Sequence, residues 1–587
     1  MSLTSSLNLG RNSLLAQQTA LETTGDNLAN VATPGFKRRE LKLEPARSQQ
    51  LGPSVAIGRG VQVASVTRVV DEALEARLRG SISNEQGSAM SFDLLAQLEG
   101  VQNELTGRDT STQLGEYFDA WSQLATNPQD PALREIVVSR GETLATHFND
   151  TRGAYADLLR QTDLQLDNDV RAANDLLTAI GDLNRQISNA ESGQPTAHTL
   201  RDSRDAALAE LSAFLPISTH ERDSGMVDVF VGSIPVVLDG QSLGLDVAEE
   251  PYDQLDGSLA PGDPLKPEES RRFIIVADDQ TRLDLRAGSL AARSNFRNGA
   301  LRDALNDLDE LAGQVAFQTN IQHSQSQSLE GRATHTASQR IADATASLRE
   351  PEAGLKPDFV PRHGGFDLHV SAPAADDATG PGIRSTTRID VNLDGISPDT
   401  TLDDLAAQIS AADGVTATVL PTGQLQIAAD NPGATVSFSN DSSHALAALG
   451  LNSFLDGDHA GNLSVSAEIA GDPRLLAAAR DHLDGDNRGA LAIAELRTQP
   501  LAALQGTSLT ARWSNAVTEL GANVAAADAR RQADGLVREN LSAQQAAVSG
   551  VNADEETIDL LQSQRAYQAA ARYLTVVDEM LQTLLRI

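Results

Sequence analysis

The sequence predicts a mixed fold, mainly α with β insertions, and three observations predict it. Apolar residues recur every seven positions at both extremes of the 587-residue chain. Apolar seams with alternating four-three spacing run from Phe92 to Leu211, and the period changes to two after Pro216 and again beyond residue 355. The expected organisation is a paired N- and C-terminal coiled coil from residues 1–45 and 545–587 and a long-helix bundle from 46–215, 295–354 and 476–544. A β-hairpin-rich domain over 216–294 and an inserted α+β domain over 355–475 complete it.

In the first segment Leu7, Leu14, Leu21 and Leu28 define one helix stripe, with Gly10, Gln17 and Thr24 between them. Pro34 disfavours helix at the preceding residue and Gly35 permits a sharp turn, so the helix ends near Val31. Lys37, Arg38 and Arg39 follow at once, and a short charge run of this kind reads first as a solvated face. At the other end Leu560, Tyr567, Leu574 and Leu581 repeat every seven, with Ser563, Ala570, Val577 and Leu584 three residues further on. Burying a leucine contributes about 1.5–3 kcal/mol, so each stripe needs a partner surface, and the other terminus is the simplest one. Isolated helices are marginal in water. Residues 1–40 and 550–587 are therefore expected to be mobile in the free monomer and to order when subunits stack.

Between the ends, Leu94, Leu98, Val101 and Leu105 predict a packed helix closed by Gly107. Phe118, Trp121 and Leu124, then Leu133, Val137, Leu144 and Phe148, predict two amphipathic stretches around Asn127-Pro128. Leu166, Val170, Ala173, Leu177, Ile180 and Ile187 form a long seam, and helix continues to Pro216. Val227, Val229 and Val231 then alternate, turn at Gly232 and return through Val236 and Leu238, which is a hairpin; Ile274 and Val276 with Leu283 and Leu285 suggest a second. Helix returns at Leu301, Leu305, Leu308, Ala312 and Val315. In the inserted domain Ile389, Val391 and Leu393 alternate, Thr401 and Asp404 form a capping box, and Val415–Val419 pairs with Leu425 and Ile427 across Pro421–Gly423.

The formal charge of −35 opposes roles built on neutralising phosphate, which makes nucleic acid and anionic membrane poor partners. There are no cysteines, hence no disulfide and no thiolate chemistry. The opening residues carry no basic stretch before an apolar one, so a cleaved signal peptide is not expected. Gly240–Gly244 matches the G-x-S-x-G nucleophile elbow, but Pro251 follows too soon for the helix that would aim Ser242, and a turn is the better reading. His363 and His369 could share a strand face without a third metal ligand. Asp484, Gly485, Asp486 and Asn487 resemble a calcium loop in which Arg488 stands where an oxygen ligand is needed. No catalytic, cofactor-binding or metal-binding residue is expected.

The stretch "NLANVATPGF" resembles the Asn-Val-Asn-Thr-Pro-Gly-Tyr signature of bacterial flagellar axial proteins at Asn30, Val31, Thr33, Pro34 and Gly35, with Ala32 in place of Asn and Phe36 in place of Tyr. With "YFDAWSQLATNPQDPALRE", "LRDSRDAALAELS", "GDNRGALAIAEL" and "SGVNADEETIDLLQSQRAYQAAARYL" in the same order, nearly the whole chain resembles the hook-associated protein 1 family. Asn320 and His323 fit the family pattern, and Ser326 departs from its glycine. The resemblance implies a structural role at the hook–filament junction in the extracellular flagellum and self-association in a helical layer. Its implied partners are hook protein, the second junction protein and an export chaperone that holds the C-terminal helix at Leu574 and Leu581. It also implies type III export without a cleaved signal peptide. The alternatives are a hook or distal rod protein, or an extracellular hydrolase or adhesin on a helical stalk, for which an aromatic cleft near Phe366, Phe438 and Phe454 would be the sign.

Overall fold

Both termini are helical, and the long helices between them carry the sheets. The computed structural model describes residues 3–585 apart from 48, 53–54, 103, 105–106, 194–195, 252–269, 373–381, 397 and 481–484, so Leu105 and Asp484 lie outside the described residues. Two compact units emerge, one from residues 1–94, 161–298 and 525–587 and the other from 95–160 and 299–524. The division cuts across the four-domain reading because three of the long helices contribute residues to both units.

In the first unit α1 (Leu3–Ala29) leads into the antiparallel pair β1 (Arg39–Pro45) and β4 (Val61–Arg68), with β2 (Gln49–Gly52) and β3 (Val55–Ile57) paired between them. The unit takes the start of α2 (Glu72–Gln102). The segment read as two stretches separated at Asn127-Pro128 folds as α3 (Thr110–Thr126) and α4 (Pro131–Glu191), a helix of 61 residues that absorbs the Leu166–Ile187 seam as well. That seam and α5 (His198–Phe214) bury their apolar faces against a four-stranded antiparallel sheet in sequential order, β5 (Ile217–Glu221), β6 (Val227–Val231), β7 (Ile234–Leu238) and β8 (Gln241–Ser242). Leu166, Leu177 and Ile180 meet Val229 and Val236 in one core. The first expected hairpin is thus β6–β7. The second is short: the Ile275–Arg282 bridge carries the Leu283 N–H to Ile274 carbonyl and Val276 N–H to Thr281 carbonyl bonds, each at 2.9 Å, while β10 (Ser270–Val276) pairs along its length with β9 (Leu245–Pro251). β10 therefore has a neighbour on each edge, a seven-residue ladder with β9 and the short Thr281–Leu283 run. Helix α6 (Ser289–Asn298) spans the expected boundary at residue 294.

The second unit takes α3, part of α4, and α7 (Ala300–Ser324). Its α+β core extends from Ala337 to Leu451, beginning earlier than residue 355, because β11 (Thr334–Thr336) joins the sheet. Strand β12 (Gly364–Ala372) pairs with β13 (Gly382–Val391). After α8 (Leu402–Ser410) come β14 (Val415–Val419), β15 (Leu425–Ala429) and β16 (Thr435–Ser439), which build the sheets β13-β12-β16 and β11-β15-β14. The Thr401–Asp404 capping box is present in both directions, at 3.1 Å each. Gly423 turns β14 into β15 with φ of +80°, and any Cβ there would lie 2.3 Å from the Ile341 carbonyl. Short elements follow, α9 (Ala445–Leu449), β17 (Leu455–Asp456), β18 (Ser464–Val465), α10 (Ala467–Gly471) and α11 (Arg488–Glu495), before α12 (Leu509–Ser549) and α13 (Ala553–Leu585) return to the first unit. No helix among the described residues is long and apolar enough to cross a membrane.

His323, picked out by the family pattern, is fully buried beside Trp121 and Phe454. Its Nδ1 donates to the Asn452 carbonyl and its Nε2 accepts from the Ala477 N–H, both at 2.8 Å, which fixes the neutral tautomer. Burial pushes His323 down to about 3 and the buried His335 to about 4. Their folded values lie below the unfolded one near 6.5, so the unfolded chain binds more protons between these limits. Stability from these groups is complete above pH of about 6.5 and is lost progressively as the pH falls toward 3–4. By roughly pH 5 the loss is about 2 kcal/mol per histidine. Thermal unfolding followed from neutral pH downward should show the midpoint of this unit falling across that window, and His323→Gln should flatten the slope. A midpoint indifferent to pH between 6.5 and 5 would remove the argument.

Candidate assembly interface

The turn after α1 explains the motif residues. Asn30 caps the helix by donating from its side chain to the Asp26 carbonyl at 2.9 Å and accepting from the Thr33 hydroxyl at 3.2 Å, while the Thr33 N–H bonds the Asn30 carbonyl. Gly35 takes φ of +79°, which reverses the chain where another residue would be strained. Val31 and Pro34 stay exposed, and Phe36 is half-buried beneath the Arg39 guanidinium at 4.9 Å.

The basic triplet is a clasp and not a solvated face. Lys37 is buried and pairs closely with Glu75 of α2, which also accepts from Gln545 of α12 at 3.0 Å. Arg39 pairs closely with Asp26, and Arg38 lies 3.6 Å from Glu555 at the start of α13. Its N–H bonds the Ser549 carbonyl at 2.9 Å. Asn27 was not singled out in the sequence and is the centre of the joint. Its amide bridges the Arg39 N–H and carbonyl at 2.9 Å each and donates to Glu556 at 3.1 Å, and both Asn27 and Glu556 are buried. Position alone gave one hint, since Asn27 falls outside the heptad stripe on a face otherwise free of charge.

Beyond the clasp α1 packs against α13 and against the β1–β4 hairpin. Leu7, Leu14, Leu21 and Leu28 are only half-buried, as are Leu560, Tyr567, Leu574 and Leu581. The fully buried positions are the small ones between them, Gly10 and Thr24 on α1 and Ala570 and Val577 on α13. A Cβ on Gly10 would come within 2.6 Å of Leu574, so the seam is close because it lacks bulk there. A second buried face of α1, with Leu9 against Gly60 and with Ala16, meets the hairpin side.

The heptad residues therefore serve mainly to pair the two termini, and a different stripe of α13 is left without cover. Ile558, Leu561, Tyr573, Val576 and Met580 are exposed, with Ile558, Val576 and Met580 at 54, 52 and 50%. At about 100° per residue Ile558, Leu561 and Val576 lie roughly 100–160° around the helix from the seam, while Tyr573, whose ring reaches Gly10 of α1, and Met580 flank it. Leu15 of α1, Val31 in the turn after it, and Leu536, Val537 and Val548 of α12 are exposed as well. The signal was legible in principle: a helix whose apolar residues extend beyond one seam expects cover beyond it.

The other candidates resolve into structure. Ser242 lies in the edge strand β8 and its hydroxyl accepts from the Gly244 N–H at 3.2 Å, with β9 following where an elbow needs a helix. His369 bonds Thr386 and Ser439 through its two ring nitrogens. The Asp486 carboxylate accepts from the Arg480 N–H at 2.8 Å and from Arg488. Phe366, Phe438 and Phe454 are fully buried in the packing of the second unit. Asn320 bonds the backbone of Phe454 and Leu455, and Ser326 is buried with its hydroxyl on the Gln322 carbonyl.

Comparison with known proteins places this arrangement. Residues 7–37 match the family profile described as flagella basal body rod protein, and residues 544–587 match the C-terminal profile of the flagellar basal body rod FlgEFG proteins. Residues 95–336 match the helical domain of the flagellar hook-associated protein FlgK. The chain is 23% identical to flagellar hook-associated protein 1 of Escherichia coli strain K12 and 24% identical to that of Salmonella typhimurium, in each case over the full length of both chains. It is 28% identical to the Bacillus subtilis protein of the same name over 43% of this chain and 54% of that one. The structure of the flagellar hook junction protein FlgK from Burkholderia pseudomallei shares the fold with a TM-score of 0.50 at 16% identity, covering 80% of this chain and all of that one. The joined ends define a flagellar axial protein, a chain whose two termini form one rod-type helix pair. The helical domain between them indicates which kind: it is similar to that of FlgK, and the likeness to flagellar hook-associated protein 1 runs the full length of the chain.

Proposed function

We propose that the chain is a structural component of the flagellum that joins hook to filament, polymerising through its terminal helix pair. The observation that carries this is the exposed apolar surface of α13 outside the seam that already binds α1. Five half-exposed apolar side chains represent roughly 4–7 kcal/mol of burial per subunit once a neighbour covers them. Identical contacts between successive subunits that do not close on themselves generate a helical layer. The Burkholderia relative is a flagellar hook junction protein, which supports the same location here. Hook protein below and the second junction protein above are the expected neighbours.

The same stripe explains a need for an export chaperone, because a greasy helix awaiting its partners invites premature association. Leu574 and Leu581, half-buried at the seam, become available to a chaperone if α13 leaves α1, and the outer stripe is available already. Export through the type III channel fits this reading. Among the described residues no catalytic constellation competes with this structural reading. Deleting residues 560–587 should give a soluble monomer that neither joins hooks nor binds the chaperone in pull-down. Retention of both activities by the truncated chain would refute the proposal.

A further inference from the structure

Oxidisable sulfur is scarce in this chain, which has four methionines and no cysteine. Met1 lies outside the described residues, Met90 in α2 and Met226 before β6 are half-buried, and Met580 near the end of α13 is 50% exposed. Among the described residues Met580 is therefore the thioether most open to solvent.

Its place on the helix gives that exposure a consequence. Tyr573, Val576 and Met580 follow an i, i+3, i+7 spacing and lie within about 60° of one another around α13. Tyr573 begins the row against α1, a ring carbon 3.1 Å from where a Cβ on Gly10 would stand. Val576 and Met580 continue it into solvent at 52 and 50% exposure, and the buried Val577 stands one turn before Met580 at the edge of the seam. Met580 is thus where the pairing of the two termini gives way to the apolar surface that a neighbouring subunit covers.

Hydrogen peroxide oxidises such a side chain in one step. The sulfur lone pair takes up one peroxide oxygen, the O–O bond breaks, and the other oxygen leaves as water with both protons; sulfur loses two electrons and the peroxide gains them. The product carries an S–O dipole that accepts hydrogen bonds. In solvent water satisfies it, and against an apolar neighbour nothing does.

We propose that Met580 is an oxidation site of the free subunit, and that its sulfoxide weakens the stacking of one chain on the next. This use of the residue rests on the junction role proposed above and adds a modification that switches it off. Once a neighbour covers α13 the sulfur is closed to peroxide, so stacked chains keep their thioether.

The test treats the full-length chain with hydrogen peroxide, removes the oxidant, maps the product by mass spectrometry and offers it to isolated hooks. Sulfoxide should form at Met580 at least about fivefold faster than at Met90 or Met226. Capping is read for each chain as the ratio of treated to untreated protein. That ratio should fall to about one-tenth in the wild type and in Met90→Leu, and stay at about one in Met580→Leu. Methionine sulfoxide reductases should restore capping by the treated wild type. Capping by the untreated wild type tests the junction role by itself, so the two fail separately. Faster oxidation of Met90 or Met226, undiminished capping by chains that carry the Met580 sulfoxide, or an equal fall in Met580→Leu would overturn the proposal.

Discussion

Leu561→Glu and Val576→Glu each leave a folded, soluble monomer that no longer joins hook to filament. Both side chains are about half exposed in the single chain, so neither substitution opens a cavity, and glutamate is a good helix former. In the assembled layer the same positions become buried. An unpaired carboxylate there costs several kcal/mol, and 3 kcal/mol is about a hundredfold in each subunit contact. Gln582→Glu, at an exposed position neither three nor four residues from any stripe residue, should join normally and controls for added charge. The measurement is capping of isolated hooks followed by filament growth, with motility as the cellular readout. Normal joining by both stripe variants would show that α13 makes its contacts elsewhere.

Asn27→Ala should have the largest effect on the terminal joint itself. The substitution removes three hydrogen bonds and strips the buried Glu556 carboxylate of its amide donor. A buried polar group left unsatisfied costs about 1–3 kcal/mol, and more when charged, so a loss of about 3 kcal/mol is expected. Because the clasp ties the Arg39 segment, α1 and α13 together, the loss should appear as early proteolysis near Arg38 and Arg39 while the second unit keeps its thermal midpoint. Cleavage unchanged from wild type would mean that the joint rests on the helix seam alone.

How far the fold could be read depended on whether the determinant was local. Heptad spacing located α1 and α13, the period change at Pro216 located the β6–β7 hairpin, and Thr401 with Asp404 located the start of α8, because each is set by neighbours in sequence. The β9–β10 pairing was not legible, since its two strands are separated by an intervening segment. Nor was the continuity of α4 through Leu144 and Leu166, where no breaker stood but the two seams face different cores. The interface divided the same way. Leu7 to Leu28 and Leu560 to Leu581 were marked by regular spacing, yet they are half-buried in pairing the ends. Ile558, Leu561, Val576 and Met580 were obscured by that stronger repeat, and Asn27 with Glu556 is a contact across 529 residues that no local pattern announces.

The clasp also shortens the segment expected to be mobile. Thr24, Asn27 and Lys37 are buried, as is Glu556, so fraying should stop at that joint, whereas the free halves of α1 and α13 hold one another by a narrow seam with half-exposed flanks. Amide hydrogen exchange on the monomer and on chains stacked at the hook tip, followed in α13 beyond Tyr567, tests the central claim most directly. The account predicts rapid exchange in the monomer and strong protection once neighbours cover the outer stripe. Full protection in the isolated monomer, unchanged on stacking, would contradict it.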